Sequence, residues 1–347
     1  VNRIEETLRR IRPLGPAVAR DARFALPIPK DGLGQLGRLV ERLRSIYSGR
    51  RVGTPLRKLL LIAAADHGIG RHGVSRYPQA STAELVRDVL AGRAAVARIA
   101  PRLQVRAVVV DFGLAADFAP NGTGWAEFDQ RRVAPGTQDL SEGPAMSRET
   151  ALRSVSAGME ALEHWRRGWD VDLLGTGNLG LGASISACAI AAALTGRPLG
   201  DLLGCEGPAG ASGASAASRI DLVRKALERT EIDPDDAIGV LAEYGGLEIG
   251  ALAGAALAAA ANGIPVLLDG AVSAAAAAVA AALSPASRGY FIASHRGGLP
   301  AHGALLEHMG LEPLLRLDLD LGEGAGAVLA MDLVEAAWEL GGTPSAA

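Results

Sequence analysis

Cysteine is nearly absent from this chain, with only Cys188 and Cys205 among 347 residues. Their positions make neither a metal-ligand spacing nor a disulfide framework. Excess charge is also missing: a net charge of -3 and a pI near 6.1 give no basic field for nucleic acid, and no polybasic cluster suits a membrane surface. The longest apolar stretches, 251–261 and 271–283, are alanine-rich and shorter than the roughly 20 residues that span a bilayer. They read as buried helices. Val1–Arg12 has the pattern of a charged amphipathic helix and lacks the form of a signal peptide, so a cytoplasmic protein is expected. No G-x-x-x-x-G-K-[ST] sequence occurs, which removes the Walker nucleotide site, and no G-x-S-x-G elbow occurs, which argues against a serine hydrolase. Neither His67 nor His295 has a second His or Cys at ligand spacing, so no metal is expected.

What the chain does have is apolar substance and a regular alternation of patterns. Hydrophobic residues are 49% and charged ones 21%, enough for a sizeable core. Short apolar runs end in polar or glycine residues. Leu59–Ala65 stops at Asp66-His67-Gly68, Val105–Val110 at Asp111-Phe112-Gly113, Val171–Leu174 at Gly175, Ile264–Leu268 at Asp269-Gly270, and Gly289–Ala293 at Ser294-His295. Only Arg106 and Asp172 put a charge inside one of them. Such runs are parallel strands covered on both faces, with functional loops at their carboxyl ends. Helical patterns over Thr82–Ile99, Arg148–Arg167, Ala183–Leu194 and Ile220–Glu228 separate them. The fold class expected is α/β: a doubly wound, mainly parallel sheet wrapped by alanine-rich helices. Residues 1–48 lack a convincing strand and form a separate helical piece. Asp-Gly and Asn-Gly pairs at 31–32, 121–122 and 262–263 mark turns, and Ala209–Ser218, all Gly, Ala and Ser, reads as a surface loop.

Three places carry candidate chemistry. Gly175-Thr176-Gly177-Asn178-Leu179-Gly180 satisfies G-x-G-x-x-G between a strand and a helix, where main-chain N–H groups meet phosphate. A dinucleotide site also needs a second strand ending in an acid about 20 residues on, and Asp201 follows no apolar strand. A phosphate cradle is thus expected without a dinucleotide. Ser184 and Ser186 either cap the following helix or meet that phosphate, while His67 and His295 organise loops by hydrogen bonds or touch substrate. The third place is Leu315–Leu321, whose apolar/polar alternation reads as a strand delivering Glu323 into a turn flanked by Gly322 and Gly324. A carboxylate there suits a general base, and it equally suits a cap on a helix starting near Ala325.

Taken in order, Asp66-His67-Gly68, Gly73-Val74-Ser75-Arg76-Tyr77-Pro78-Gln79, Gly143-Pro144-Ala145-Met146, Gly180-Leu181-Gly182, Gly245-Gly246-Leu247-Glu248-Ile249, Leu267-Leu268-Asp269-Gly270, Ser294-His295-Arg296 and Leu321-Gly322-Glu323-Gly324-Ala325-Gly326-Ala327 give the chain a family likeness. It resembles the nicotinate-nucleotide:dimethylbenzimidazole phosphoribosyltransferases from about residue 29 to 335. The resemblance implies a Rossmann-like large domain over 49–330 and a small helical domain formed by 1–48 with 331–347, in a homodimer. It implies phosphoribosyl transfer from nicotinate mononucleotide to 5,6-dimethylbenzimidazole or a related base, without a cofactor, in cobamide lower-ligand synthesis. Carried over by position, Glu323 becomes the general base in its Gly322–Gly324 turn. Gly180, Gly182 and Ser184 become the phosphate cradle, Arg219 stands where the family has a phosphate-contacting lysine, and Tyr77, Pro78 and Leu85 line the acceptor pocket.

The chain departs from the family pattern in its loops. Gly177-Asn178-Leu179-Gly180-Leu181-Gly182-Ala183-Ser184-Ile185 has Asn178 in place of an acid and keeps one hydroxyl of an Asn-Thr-Thr set. Gly204-Cys205-Glu206-Gly207-Pro208-Ala209-Gly210 brings in Glu206, and 294–302 loses a serine and a glutamate. These changes motivate a second reading, a family paralog that binds nucleotide or base with little turnover. A dinucleotide-dependent oxidoreductase, resting on residues 175–180 alone, is the third.

Overall fold

The computed structural model describes residues 2–15, 30–48, 50, 52–75, 81–120, 124–203 and 216–341. Six strands form one sheet: β1 (Lys58–Ala65), β2 (Val105–Gly113), β3 (Glu127–Gln130), β4 (Leu173–Leu179), β5 (Val266–Leu268) and β6 (Phe291–Ala293). All neighbours are parallel and the order is β3-β2-β1-β4-β5-β6. β1, flanked on both sides, is buried at every position, as its unbroken Leu-Leu-Leu-Ile-Ala run requires. The chain reverses its direction of winding between β1 and β4, and the carboxyl ends of those strands open the crevice where such sheets bind ligands.

The helices are α1 (Asn2–Arg10), α2 (Gly34–Ile46), α3 (Ser81–Leu90), α4 (Ala95–Ile99), α5 (Arg148–Arg167), α6 (Ala183–Thr195), α7 (Leu199–Leu203), α8 (Ala216–Arg229), α9 (Ala237–Tyr244), α10 (Leu247–Ala261), α11 (Ala271–Leu283), α12 (Pro300–His308) and α13 (Ala325–Leu340). They cover both faces of the sheet. α5, α10 and α11 make one layer, in which small residues let backbones meet: Gly158 of α5 lies against Ala251, and Gly250 and Gly254 of α10 lie against Ser154 and Val155. α13 lies across β4 and β5 with α2 and α4 beside it. Its Glu335 takes the buried Lys58 ammonium at 2.6 Å, which explains a lysine at the head of an apolar strand.

Several boundaries differ from the sequence expectation. The Val171–Leu174 run starts a strand that does not stop at Gly175 but continues to Leu179, so the first five residues of the glycine motif are strand. A Cβ on Gly175 would meet the Met331 methyl at 2.5 Å, and one on Gly177 would meet the main chain of Glu323 and Gly324 at 2.8 Å. The glycines therefore admit α13 and its leading turn against β4, and no turn for a dinucleotide exists there. Leu315–Leu321 is not a strand: one bridge joins Leu315 to His295, and the rest is irregular, with Leu317 and Leu321 49% and 54% exposed. The expected helix over 82–99 breaks after Leu90, whose carbonyl accepts the Trp125 N–H. β3 carries the polar residues of an exposed edge and offers no apolar run. The Asp-Gly pair at 31–32 lies in a short 3-10 helix over Lys30–Leu33 and the pair at 262–263 follows α10; of the surface loop expected over 209–218, residues 216–218 are instead the first of α8, while 121–122 and 209–215 lie outside the described residues.

Candidate active site

At the carboxyl end of β4 two turns meet. The first holds Glu323 between Gly322 at φ 75° and Gly324 at φ 94°, left-handed values that glycine adopts without a steric penalty. The Asn178 N–H donates to the Gly322 carbonyl at 2.8 Å, tying this turn to the last residues of β4. Glu323 is half-buried, and its Oε1 accepts the Val96 N–H at the start of α4 at 2.9 Å. Burial pushes its carboxyl above the ordinary carboxylate range and the charge of Asp269 adds to this, while the N–H groups of Val96 and Ala95 pull the other way. The result is a carboxylate that takes up a proton more readily than a solvated glutamate.

Glu323 does not cap the helix that follows it. Asp269, at the end of β5, accepts the Gly324 N–H at Oδ2 (3.1 Å) and the Ala327 N–H at Oδ1 (3.0 Å), filling the cap of α13 from another strand. Behind it, His295 Nδ1 lies 3.9 Å from Asp269 Oδ1 and 3.0 Å from Ser294 Oγ. The Ser294 hydroxyl spends its one hydrogen on the Leu268 carbonyl at 2.5 Å, so the proton between Ser294 and His295 sits on Nδ1. His302 stacks edge-on against His295 and accepts the Gly297 N–H at Nδ1 (3.0 Å); burial, with His295 and Arg296 nearby, lowers its pKa to about 3, so the ring is neutral.

The second turn joins β4 to α6 through Gly180, Leu181 and Gly182. Gly182 has φ 99° and stands as N-cap of α6 with no side-chain cap; the Ala183 N–H bonds back to the Gly180 carbonyl at 3.3 Å and the Ile185 N–H to the Gly182 carbonyl at 3.0 Å, which leaves the Ser184 N–H of that first turn without a main-chain partner among the described residues. Ser184 is exposed on its first turn. Arg219, from α8, reaches the field of Cys188, which lies one helical turn beyond Ser184 on the same side of α6; its Nε is buried without a hydrogen-bond partner among the described residues. Thr82 Oγ1 faces the Leu181 N–H at 3.4 Å, and the partly buried Leu85 follows on the same side of α3. Tyr77 and Pro78 lie outside the described residues, as does the 204–210 loop.

Beneath this turn His67 is fully buried. Its Nε2 meets Glu248 Oε1 at 2.7 Å and its Nδ1 meets Ser186 Oγ at 3.1 Å. Ser186 therefore serves the histidine and is neither a cap nor exposed to a phosphate. The packing is close: a Cβ on Gly180 would lie 3.6 Å from the His67 ring, one on Gly182 3.2 Å from the His67 Cβ, and one on Gly246 2.5 Å from the ring. Sequence reasoning marks Asp269 and Glu248 within motifs but gives them no task. Both are acids isolated in apolar sequence at a strand end or helix start, which is the available signal. Among the described residues the one cluster with metal-ligand reach is His72, Asp139 and Glu142, and Arg71 already pairs with both acids there.

Comparison with known proteins places this geometry. A phosphoribosyltransferase family model matches residues 16–343. The chain is 39% identical over 340 residues to a nicotinate-nucleotide:dimethylbenzimidazole phosphoribosyltransferase of Chloroflexus aurantiacus, covering 97% of this chain and 95% of that protein. It is 42% identical over 338 residues to the protein of the same name in Desulforudis audaxviator, covering 96% and 93%. A crystal structure of the Thermus thermophilus protein of that name superposes with a TM-score of 0.82 at 34% identity, covering 98% of this chain and 96% of the other. A structure of CobT from the same organism gives 0.83 at the same identity and coverage.

Proposed function

The chain belongs to the nicotinate-nucleotide:dimethylbenzimidazole phosphoribosyltransferase family, and on that premise we propose that Glu323 is the general base of its transfer reaction. The enzyme moves the phosphoribosyl group of nicotinate mononucleotide onto 5,6-dimethylbenzimidazole or a related flat base, releasing nicotinate and forming α-ribazole 5′-phosphate. The pyridinium nitrogen of the donor is already positive, so its departure from the ribose leaves a ring with no charge on nitrogen and calls for no acid catalyst. One benzimidazole nitrogen attacks from the opposite face, inverting the ribosyl linkage, and the other loses its proton to the Glu323 carboxylate. Alignment of the two rings and the phosphate supplies much of the remaining acceleration.

One observation carries this reading: Glu323, a half-buried carboxylate with raised proton affinity, lies in a turn tied to the end of β4, the strand that leads into the Gly180–Gly182 turn and α6. Gly180, Gly182 and Ser184 with Arg219 hold the phosphate, and Leu85 with Tyr77 and Pro78 borders the acceptor, as the family likeness suggests. Residues 1–48 and 331–347 act as a small helical domain against 49–330; α2 packing on α13, with Arg44 donating to the Gly341 carbonyl at 2.7 Å, supports the pairing of the chain ends. The protein works as a cytoplasmic homodimer, a reading supported by the family likeness; among the described residues no helix is long and apolar enough to cross a membrane. Chromatographic measurement of nicotinate release tests the chemistry: robust release by the native chain that persists unchanged in Glu323→Gln would reject the assigned base. No release with any benzimidazole or phenol would favour the binding-only paralog, which the altered Asn178 position motivates.

A further inference from the structure

We propose that Asp269 is the positioning residue of the reaction: it locks the turn that presents Glu323 and sets a negative charge beside that base. The proposal rests on Glu323 being the base. Asp269 is buried at the end of β5, yet no lysine or arginine among the described residues pairs with it. Each of its oxygens instead accepts a main-chain N–H, one from the residue directly after Glu323 and one from the first turn of α13. Burial pushes the Asp269 carboxyl above the ordinary carboxylate range, while His295 and the N–H groups of Ala327 and Gly324 pull the other way; each oxygen receives an N–H donor, a pattern that suits a carboxylate better than a protonated carboxyl. The turn is also clamped from the other side. Gly177 leaves no space beneath the main chain of Glu323, and Asn178 holds the Gly322 carbonyl. With its main chain fixed at three points, Glu323 is left only its side-chain torsions.

Among the described residues the groups around Glu323 are few. β5 contributes Asp269 and the segment after β6 contributes His295 behind it; β4 contributes the uncharged Asn178; α4 contributes main-chain N–H groups, its Arg98 being exposed. A negative neighbour raises the proton affinity of a carboxyl. Replacing it by a neutral isostere therefore moves Glu323 toward easier ionisation, and the rate, which requires the ionised base, rises at lower pH.

The test is the pH profile of kcat/KM for Asp269→Asn beside the native enzyme and Glu323→Gln. The expected result is that the acidic limb moves to lower pH, that kcat near neutrality falls by about 10-fold as the base is weakened and its turn loosened, and that KM for nicotinate mononucleotide stays within about 3-fold. A merely structural role would lower the whole profile without moving its limb, and that outcome, or a limb displaced upward, overturns the proposal. Asp269→Ala removes both acceptors; an unchanged melting temperature in that variant would equally overturn it. If Glu323→Gln keeps native turnover, the base assignment fails instead, so the two failures are separable.

Discussion

The turn around Glu323 and the turn from Gly180 to Ser184 lie side by side at the end of β4, yet they are built in opposite ways. The first is over-determined: Asp269 holds its N–H groups, Asn178 its carbonyl, Gly177 its floor, and Val96 the carboxylate itself. The second is held from below, by His67 and its Glu248 and Ser186 partners, and its upper side offers the Ser184 N–H, that residue's exposed hydroxyl and an arginine whose buried Nε has no partner among the described residues. The difference suits the tasks proposed for them. A proton acceptor must be in place before the base arrives, whereas a phosphate brings its own charge and acceptors and completes the turn that binds it.

Substitutions sharpen that contrast. Glu323→Gln is expected to give the largest effect, lowering kcat by about 10²- to 10⁴-fold with KM for the nucleotide nearly unchanged, measured by steady-state nicotinate release. A large rise in KM instead would show that the base turn also binds the donor. Gly177→Ala comes next: its methyl meets main chain that cannot swing aside, and denaturant melts should show a loss of about 1–3 kcal/mol together with reduced kcat. Gly175→Ala should cost less, because the Met331 methyl it meets is the end of a flexible side chain. On the cradle side the signature is in KM. Loss of a charged contact in Arg219→Ala should raise KM for nicotinate mononucleotide by about 10- to 100-fold, and loss of a neutral hydroxyl in Ser184→Ala by only about 2- to 10-fold. Equal effects on kcat would break this division of labour.

The effect that near-neutral conditions show least concerns the support behind the base turn. His302, neutral and buried, has its folded pKa depressed to about 3. Below its unfolded value of about 6.5 the unfolded chain takes up a proton that the folded chain refuses, so its contribution is complete above pH 6.5 and is lost as pH falls toward 3. Melts should lose up to about 1.4 kcal/mol per pH unit from this group in that window, and His302→Gln should remove that share of the slope.

Much of this is legible in the chain. Buried parallel strands announce themselves as short unbroken apolar runs: β5 and β6 lie within the runs expected, β1 starts one residue before its run, and β2 contains its run and continues through Asp111-Phe112-Gly113, which reads in the sequence as the following loop. α5 and α11 match their alanine-rich or amphipathic patterns end to end. Errors arise where a local pattern has two physical causes. Glycine after a strand reads as a turn, but Gly175 and Gly177 are there because α13 needs the space, a fact set by residues about 150 positions away. Alternation at 315–321 reads as a half-buried strand, but among the described residues its one pairing is the bridge from Leu315 to His295, and no partner strand gives it a buried face. Ser186 reads as a cap or phosphate ligand because α6 begins nearby, whereas its hydroxyl is committed to the histidine that follows β1.

By itself the sequence determined the α/β class, the positions of most strands and helices, and the short set of residues able to do chemistry, since hydrophobic period and turn chemistry are local properties of the chain. The tertiary structure alone decided which carboxylate caps α13 and which is left to accept a proton. Asp269 and Glu323 are both acids beside glycines in apolar sequence. What separates them is that one lies at the end of β5 beneath the first N–H groups of α13, while the other turns away from that helix to the Val96 N–H at the start of α4. That is a consequence of strand order, which no local pattern contains.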